Sequence, residues 1–390
     1  MKIVVERAAG ATAAQDLCAA LAEEPQGSLV FLQANAACDL DGLRDAIARM
    51  GGPAFIGATS CLGTMSHQGH APELAALMIV DPEGDYGAAA EPLDSDAEAA
   101  ARRATERAVR AADRPGEKPE LVWVSGTPGR EEEFLAGIES VVGQDVPIIG
   151  GSAADNDVTG QWAVFDAESL LPDGIAIGVL FPSASVSFAY QNGYAPTAHS
   201  GRVTAVDGRR LAEIDGQPAA EVYSRWTEGA VAVPKEGGDG QPILAKSTFW
   251  PLGREISEIG GVPQFLLAHP AAGDADGTLH LFATVTEGET LTQMSGSPDS
   301  LVERAGRVAA LARGAGQFRG DGDIAGALMV YCGGCMLAVQ DRVDEVVGGI
   351  VGELGEAPFM GIFTFGEQGR VFGAGNRHGN LMISCIIFGR

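Results

Sequence analysis

The sequence predicts an α/β protein: a layered α/β sandwich with mixed sheets and two related halves. Apolar strand-like runs alternate with amphipathic helices, the pattern of an α/β layer architecture. The helices repeat their apolar residues at spacings of three and four, as one core-facing stripe requires. The strands read as continuous apolar runs, as strands covered on both faces do. At 390 residues the chain exceeds one ordinary core, and its 46% hydrophobic content supplies a large interior.

The first unit begins with SLVFLQAN (28–35), continues with a helix bearing Leu40, Leu43, Ile47 and Met50 on one face, and closes with PAFIGATS (53–60). Residues 94–112 predict an Ala-rich, charged helix that packs lightly on the outside, started by a capping box between Ser95 and Glu98. The second unit runs from ELVWVSGTPG (120–129) through a helix bearing Phe134, Ile138 and Val141 to PIIGGSA (147–153). Strands follow from about 160 to 210, and a Gly- and Pro-rich stretch spans 228–246. This places a boundary near 226, giving domains 1–226 and 227–390. The third unit is ALMVYCGGC (327–335), a helix from near Asp341 bearing Val343, Val346, Val347, Ile350 and Leu354, and PFMGIFTFGE (358–367). Repeated strand–helix–strand order implies parallel pairing within a unit.

A net charge of −26 repels phosphate backbones and anionic lipid, which argues against nucleic-acid and membrane partners. The N-terminal residues lack the apolar core of a signal peptide, and no apolar run reaches membrane-spanning length. The six cysteines are scattered through the chain and form no disulfide framework. A cytoplasmic protein is predicted.

Candidate site residues cluster at the ends of the predicted strands. Gly150 and Gly151 end one strand and are followed by Ser152, Asp155 and Asn156. Glycines leave backbone N–H groups free, and short polar side chains orient a ligand. The same residues also suit an ordinary turn. Gly57 followed by Thr59 and Ser60 repeats the design in the first unit. Cys332 and Cys335 stand in C-x-x-C spacing between a strand and a helix, which suits a thiol redox pair, a ligand wall or buried structural cysteines. One such pair falls short of a structural zinc site, and the six histidines show no metal-ligand spacing, so no metal is predicted. Phe363 and Phe365 lead into Gly366 and Glu367, where the carboxylate either binds an amine or faces solvent. Asn380 enters the final strand.

Taken together, these motifs resemble the FIST sensory domains. The carriers are strand–G-x-T-S–G in the first unit, PIIGGSAADN in the second, and C-x-G with PFMGIFTFGE in the third. The resemblance covers roughly 27 to 388 and implies a non-enzymatic sensor of small ligands, such as amino acids or related metabolites, in signal transduction. It also implies alternatives: haem as a cofactor in nitric-oxide sensing, with a separately encoded histidine kinase as partner. A thiol-redox enzyme using Cys332 and Cys335 is the reading from the residues alone. The family usually carries Arg shortly after Cys-x-Gly, where this chain has Cys335, so a different ligand is implied. No kinase or cyclase segment is attached, so output is expected to pass through a separate kinase or cyclase.

Overall fold

Each strand–helix–strand unit closes into a parallel pair: Leu29–Asn35 with Ala54–Ser60, Leu121–Gly126 with Ile148–Ser152, and Ile324–Cys332 with Phe359–Thr364. The crossovers are the helices Leu40–Met50, Glu131–Val142 and Val343–Leu354. In each pair the first strand takes an antiparallel neighbour on its other side, namely Leu74–Val80, Gly174–Phe181 and Ile383–Gly389. A further strand (Lys2–Ala8, Asp85–Pro92 or Val186–Gln191) completes that side. A second helix covers each unit: Ala13–Ala22, Ala97–Ala111 and Pro298–Ala315. The computed structural model describes every residue except 25–26, 234–237, 239, 317 and 319, so part of the Gly- and Pro-rich stretch lies outside the described residues.

The units are tied together by exchange. The strand after each second parallel strand crosses to another unit's sheet. Thr64–Ser66 pairs with Phe359–Thr364, Val164–Asp166 with Ala54–Ser60, and Glu367–Val371 with Ile148–Ser152. The three crossings form a closed ring, so three six-stranded mixed sheets result. Their inner faces share one core that includes Phe31, Trp123, Ile149, Leu328, Met360 and Ile386. Each such side chain contributes about 1.5–3 kcal/mol by leaving water. The rings of Phe31 and Trp123 meet edge to face at 5.2 Å, a geometry favoured by the aromatic quadrupole.

Three local expectations need correction. The helix Ala97–Ala111 is capped by Asp96, whose carboxylate accepts from the Ala99 N–H at 2.8 Å, and not by a Ser95–Glu98 box. Nor does it pack lightly: Ala97, Ala100, Ala101, Ala104 and Ala108 are buried with Phe134, Ile138 and Ile177, because small side chains let backbones approach. After Cys332 a six-residue helix, Gly333–Ala338, starts at once, and the helix expected near Asp341 begins at Val343.

Between Val186–Gln191 and Pro298–Ala315 the third unit carries an insertion, a nine-stranded sheet spanning 195 to 295 on the far side of the strand ends. It has its own core of Leu211, Ile214, Tyr223, Leu252, Leu279 and Leu291. Position 226 is the last residue of the helix Ala219–Trp226 in this lobe. Among the described residues, no helix is long and apolar enough to cross a membrane.

Candidate functional site

The carboxyl ends of the parallel strands of the second and third units meet the inserted lobe, the usual place for a crevice in an α/β sheet. A cavity of about 240 Å³ lies there. The loop after Leu121–Gly126 supplies Pro128, Gly129 and Glu131; the end of Ile324–Cys332 supplies Cys332 and Gly334; the end of Phe359–Thr364 supplies Phe365 and Gly366. The lobe closes the other side with Arg209, Leu244, His269 and Phe282. Trp162 packs edge to face on Phe365 at 6.3 Å and completes an aromatic wall. A groove of about 540 Å³ shares Leu244, Gly334 and Leu337 with the cavity wall.

The polar groups are few and mostly fixed. Glu131 opens the helix Glu131–Val142, where a negative charge complements the helix dipole. Its Oε1 accepts from the Gly129 N–H at 3.0 Å and the Ser152 hydroxyl at 2.8 Å. Its Oε2 accepts from Arg209 at 2.6 Å, and the same Arg209 nitrogen reaches Glu132 at 2.6 Å. Burial alone would raise the Glu131 carboxyl, but His378 and Arg209 hold it below the usual range. The same balance pulls Glu132 down to about 2. Both acids are therefore ionised, and they share the Arg209 guanidinium. His269 is pushed down to about 4 by burial and is neutral at physiological pH, with Nε2 3.0 Å from the Ser247 hydroxyl. The Asn380 side-chain oxygen accepts from the His269 backbone N–H at 3.1 Å.

The structure sorts the expected site residues. Cys332, Gly366 and Asn380 line the cavity. Ser152 stands behind Glu131, its backbone N–H donating to the Gly366 carbonyl at 2.8 Å, so strand ends distant in sequence do meet. Gly150 and Gly151 do not offer free amides. They sit inside a strand paired on both sides, and a Cβ at Gly150 would strike the Val124 carbonyl while one at Gly151 would strike Thr364. Their small size permits strand contact. Gly366, at φ +121°, does need glycine, since a Cβ there would lie 2.8 Å from His378.

Thr59 and Ser60 are buried at the junction of the units. The Ser60 hydroxyl accepts from the Phe363 N–H at 2.9 Å, and the Ala154 N–H donates to the Thr59 carbonyl at 2.9 Å. Asp155 and Asn156 behave as turn residues. The Asp155 carboxylate accepts from the backbone N–H groups of Val158, Thr159, Gly160 and Gln161 at 2.6, 2.9, 2.7 and 2.9 Å. Asn156 links the Leu62 N–H and Asn35 at 2.7 and 2.8 Å. Together they shape the loop that carries Val158 and Trp162 to the cavity. Val158 holds φ 60°, a strained value for a β-branched residue.

Glu367 neither binds at a loop nor faces solvent. It is fully buried, and its carboxyl accepts from Thr364, Gly366 and Met382 at 2.8, 3.2 and 3.0 Å. Burial pushes it up to about 8 in spite of those bonds. Cys335 is buried behind Cys332.

Sequence reasoning missed Glu131, Trp162, Arg209, His269 and Phe282. The loop after the second unit's first strand carried a signal in GREEE, acids opening a helix. The lobe residues carried none, because their partners lie far away in the chain. No group of three or more His, Cys, Asp and Glu among the described residues is placed to hold a metal ion. Haem does not fit this site: about 240 Å³ is below the ~300–1,000 Å³ typical even of drug-sized ligands.

The mostly apolar cavity thus sits at convergent strand ends of an α/β fold. A profile of the FIST N domain matches residues 28–217 and one of the FIST C domain matches 219–370, so the chain belongs to the FIST family. An uncharacterized protein of Methanocaldococcus jannaschii, MJ1623, is 28% identical over 142 residues, which spans 36% of this chain and only 24% of that protein. Among solved structures, cyanuric acid hydrolase from A. caulinodans covers 99% of this chain and 98% of its own at 11% identity and a TM-score of 0.36. A second cyanuric acid hydrolase structure covers 99% of both chains at 10% identity and a TM-score of 0.35.

Proposed function

We propose that the chain is a cytoplasmic sensor that binds one small, largely apolar metabolite in the cavity between the strand ends and the lobe. The ligand class is a ring-bearing amino acid or a related amine. The carrying observation is the cavity itself: Trp162, Phe282 and Phe365 offer faces and edges for a ring, while Glu131 and Asn380 offer acceptors for a polar end. The ionised Glu131 in the cavity wall favours a donor or cationic end over an anionic one. Six free cysteines are in keeping with a reducing compartment.

Because the walls come from both the three-unit core and the lobe, occupancy favours arrangements in which the two are drawn together. A separate signalling protein, a kinase or cyclase, would read that change. The test is a titration of ring-bearing amines and amino acids followed by intrinsic fluorescence and thermal shift. A stabilising compound whose fluorescence signal is lost in Trp162→Phe supports the reading. A panel with no stabilising compound, or a hit that Trp162→Ala and Glu131→Gln leave untouched, overturns it.

A further inference from the structure

Arg304 is 2% exposed, yet among the described residues no carboxylate pairs with it. One nitrogen donates to the Leu381 carbonyl at 2.9 Å, while Nε and Nη2 are buried without hydrogen-bond partners. Its guanidinium lies over the rings of Tyr194 and Tyr331, 5.6 and 5.1 Å from their centroids. The ionisable groups acting on it most strongly are Cys335, Tyr331, Tyr194 and Cys332. A buried cation demands an anion. Of these groups a thiol ionises most easily. Cys335 is fully buried, with the Tyr194 hydroxyl 3.5 Å from its Sγ. Three residues earlier, Cys332 lines the cavity, and a Cβ at Gly334 would lie 3.7 Å from the Cys332 Sγ and 3.9 Å from His269.

We propose that Cys335 is a resting thiolate paired with Arg304, and that a small organic hydroperoxide entering the cavity converts Cys332 and Cys335 to a disulfide. The Cys335 thiolate takes the Cys332 thiol proton, and the Cys332 thiolate so formed attacks the outer oxygen of the peroxide: an S–O bond forms, the O–O bond breaks, and the departing alkoxide takes a proton from solvent and leaves as the alcohol. The Cys335 thiol then attacks the Cys332 sulfenic acid: the S–S bond forms, and the hydroxyl leaves with the Cys335 proton as water. The two sulfurs lose two electrons and the peroxide gains them. The cavity selects the oxidant class, since its size and apolar walls admit a small neutral peroxide and exclude a bulky charged disulfide. Direction and geometry agree: burial works against ionising Cys335, but the bond from Cys332, the charge of Arg304 and Tyr194 bring its thiol below the ordinary value. Cys332 is held well above it, chiefly by burial and by Cys335.

Oxidation has a structural consequence. The disulfide removes the thiolate that faces Arg304 and locks the N-cap residue Cys332 to the first turn of the helix Gly333–Ala338. The helix Pro298–Ala315, which carries Arg304, and the cavity wall at Gly334 and Leu337 must both adjust. This inference does not rest on the metabolite reading, and either can fail alone.

The test treats the reduced full chain with tert-butyl hydroperoxide and maps cysteines by peptide mass. A Cys332–Cys335 disulfide forming before the partly exposed Cys38 is modified is the expected result; Cys38 reacting first, or the pair staying reduced, overturns the proposal. Arg304→Met is expected to slow the reaction by about tenfold or more, since a thiol of ordinary pKa is only a few per cent thiolate at neutral pH, while Arg304→Lys keeps most of the rate. A folded Arg304→Met variant reacting at the wild-type rate overturns it. Should that variant not fold, the ultraviolet thiolate absorbance of the wild type decides. The groups facing Cys335 are Arg304, Tyr194, Tyr331, Cys332 and Glu367, so the absorbance at neutral pH must vanish in Cys335→Ser and persist in Cys332→Ser. Absorbance indifferent to Cys335→Ser refutes the thiolate.

Discussion

Replacing Asp155 by Asn changes one atom and should nonetheless destabilise the protein. The carboxylate takes three backbone N–H groups on Oδ2, at 2.9, 2.7 and 2.9 Å, and two on Oδ1, Val158 closely at 2.6 Å and Asp157 at 3.4 Å. The best placement of the amide keeps its oxygen at the Oδ2 position and points NH₂ at the Val158 N–H, donor against donor. One close charge-assisted bond is lost, and three become neutral. Bonds to charged groups contribute about 1.5–3 kcal/mol against ~0.5–1.5 for neutral ones, and relaxation recovers part of the difference, so the expected cost is about 3 kcal/mol. With an unfolding entropy near ~2.1 cal/mol/K per residue over 390 residues, that cost lowers Tm by about 4 °C. The pH dependence follows from sign. Burial raises the Asp155 carboxyl, but the four backbone bonds outweigh it and hold the folded value below the ordinary one. Its stabilisation is therefore present above the unfolded pKa of about 4 and is lost as pH falls through the lower folded value, so the Asn variant and the wild type converge in acid. Calorimetry of both proteins at neutral and acidic pH checks this. A variant that melts within about 1 °C of the wild type at neutral pH refutes the assignment of the carboxylate as the fastener of the 155–161 loop.

Three further outcomes follow from the same geometry. Glu367, pushed up to about 8 by burial, holds a proton in the folded state that the unfolded chain loses near ~4.3, so its contribution falls as pH rises between those values, by at most ~1.4 kcal/mol per unit; denaturant titrations across that range should show a slope that Glu367→Gln removes. Gly366→Ala forces a Cβ to φ +121° and to 2.8 Å from His378, and should cost about 2–3 kcal/mol in the same measurement. Gly334→Ala meets only ordinary contacts, 3.7 Å from the Cys332 Sγ and 3.7 Å from Leu381, and favours the helix by up to ~1 kcal/mol, so it should fold at least as well as wild type while weakening ligand binding in calorimetric titration.

The three strand–helix–strand units were legible because burial on both faces writes itself as unbroken apolar runs such as LVFLQAN and LVWVSG. The grouping of Ser152 with Cys332 and Gly366 was read from glycines and short polar residues at strand ends. The exchange of strands between units was not: nothing local in Thr64–Ser66 names Phe359–Thr364 as its neighbour. The lobe was opaque for a related reason. Its strands pair out of order and with shifted register, as between Val203 and Ala205, so alternation is broken. At the site, the glycine-and-Asp segment was read for chemistry when much of it serves geometry: Gly150 lets strands touch, and Asp155 ties a loop. Asp155 and Asn156 spend their side chains on backbone N–H groups of nearby turns. Arg304 could not be found from sequence, because an arginine on a helix reads as solvent-facing until its burial is known.

The ring of exchanged strands bears on how the chain is born. Thr64–Ser66, hairpinned to Gly69–Ala71, joins its sheet through Phe359–Thr364, and Val186–Gln191 joins through Ile383–Gly389. On the ribosome, the earlier partner of each couple therefore emerges long before the later one and must wait with an open hydrogen-bonding edge. Translation speed and chaperone supply, more than equilibrium stability, should then govern how much of the protein a cell recovers intact.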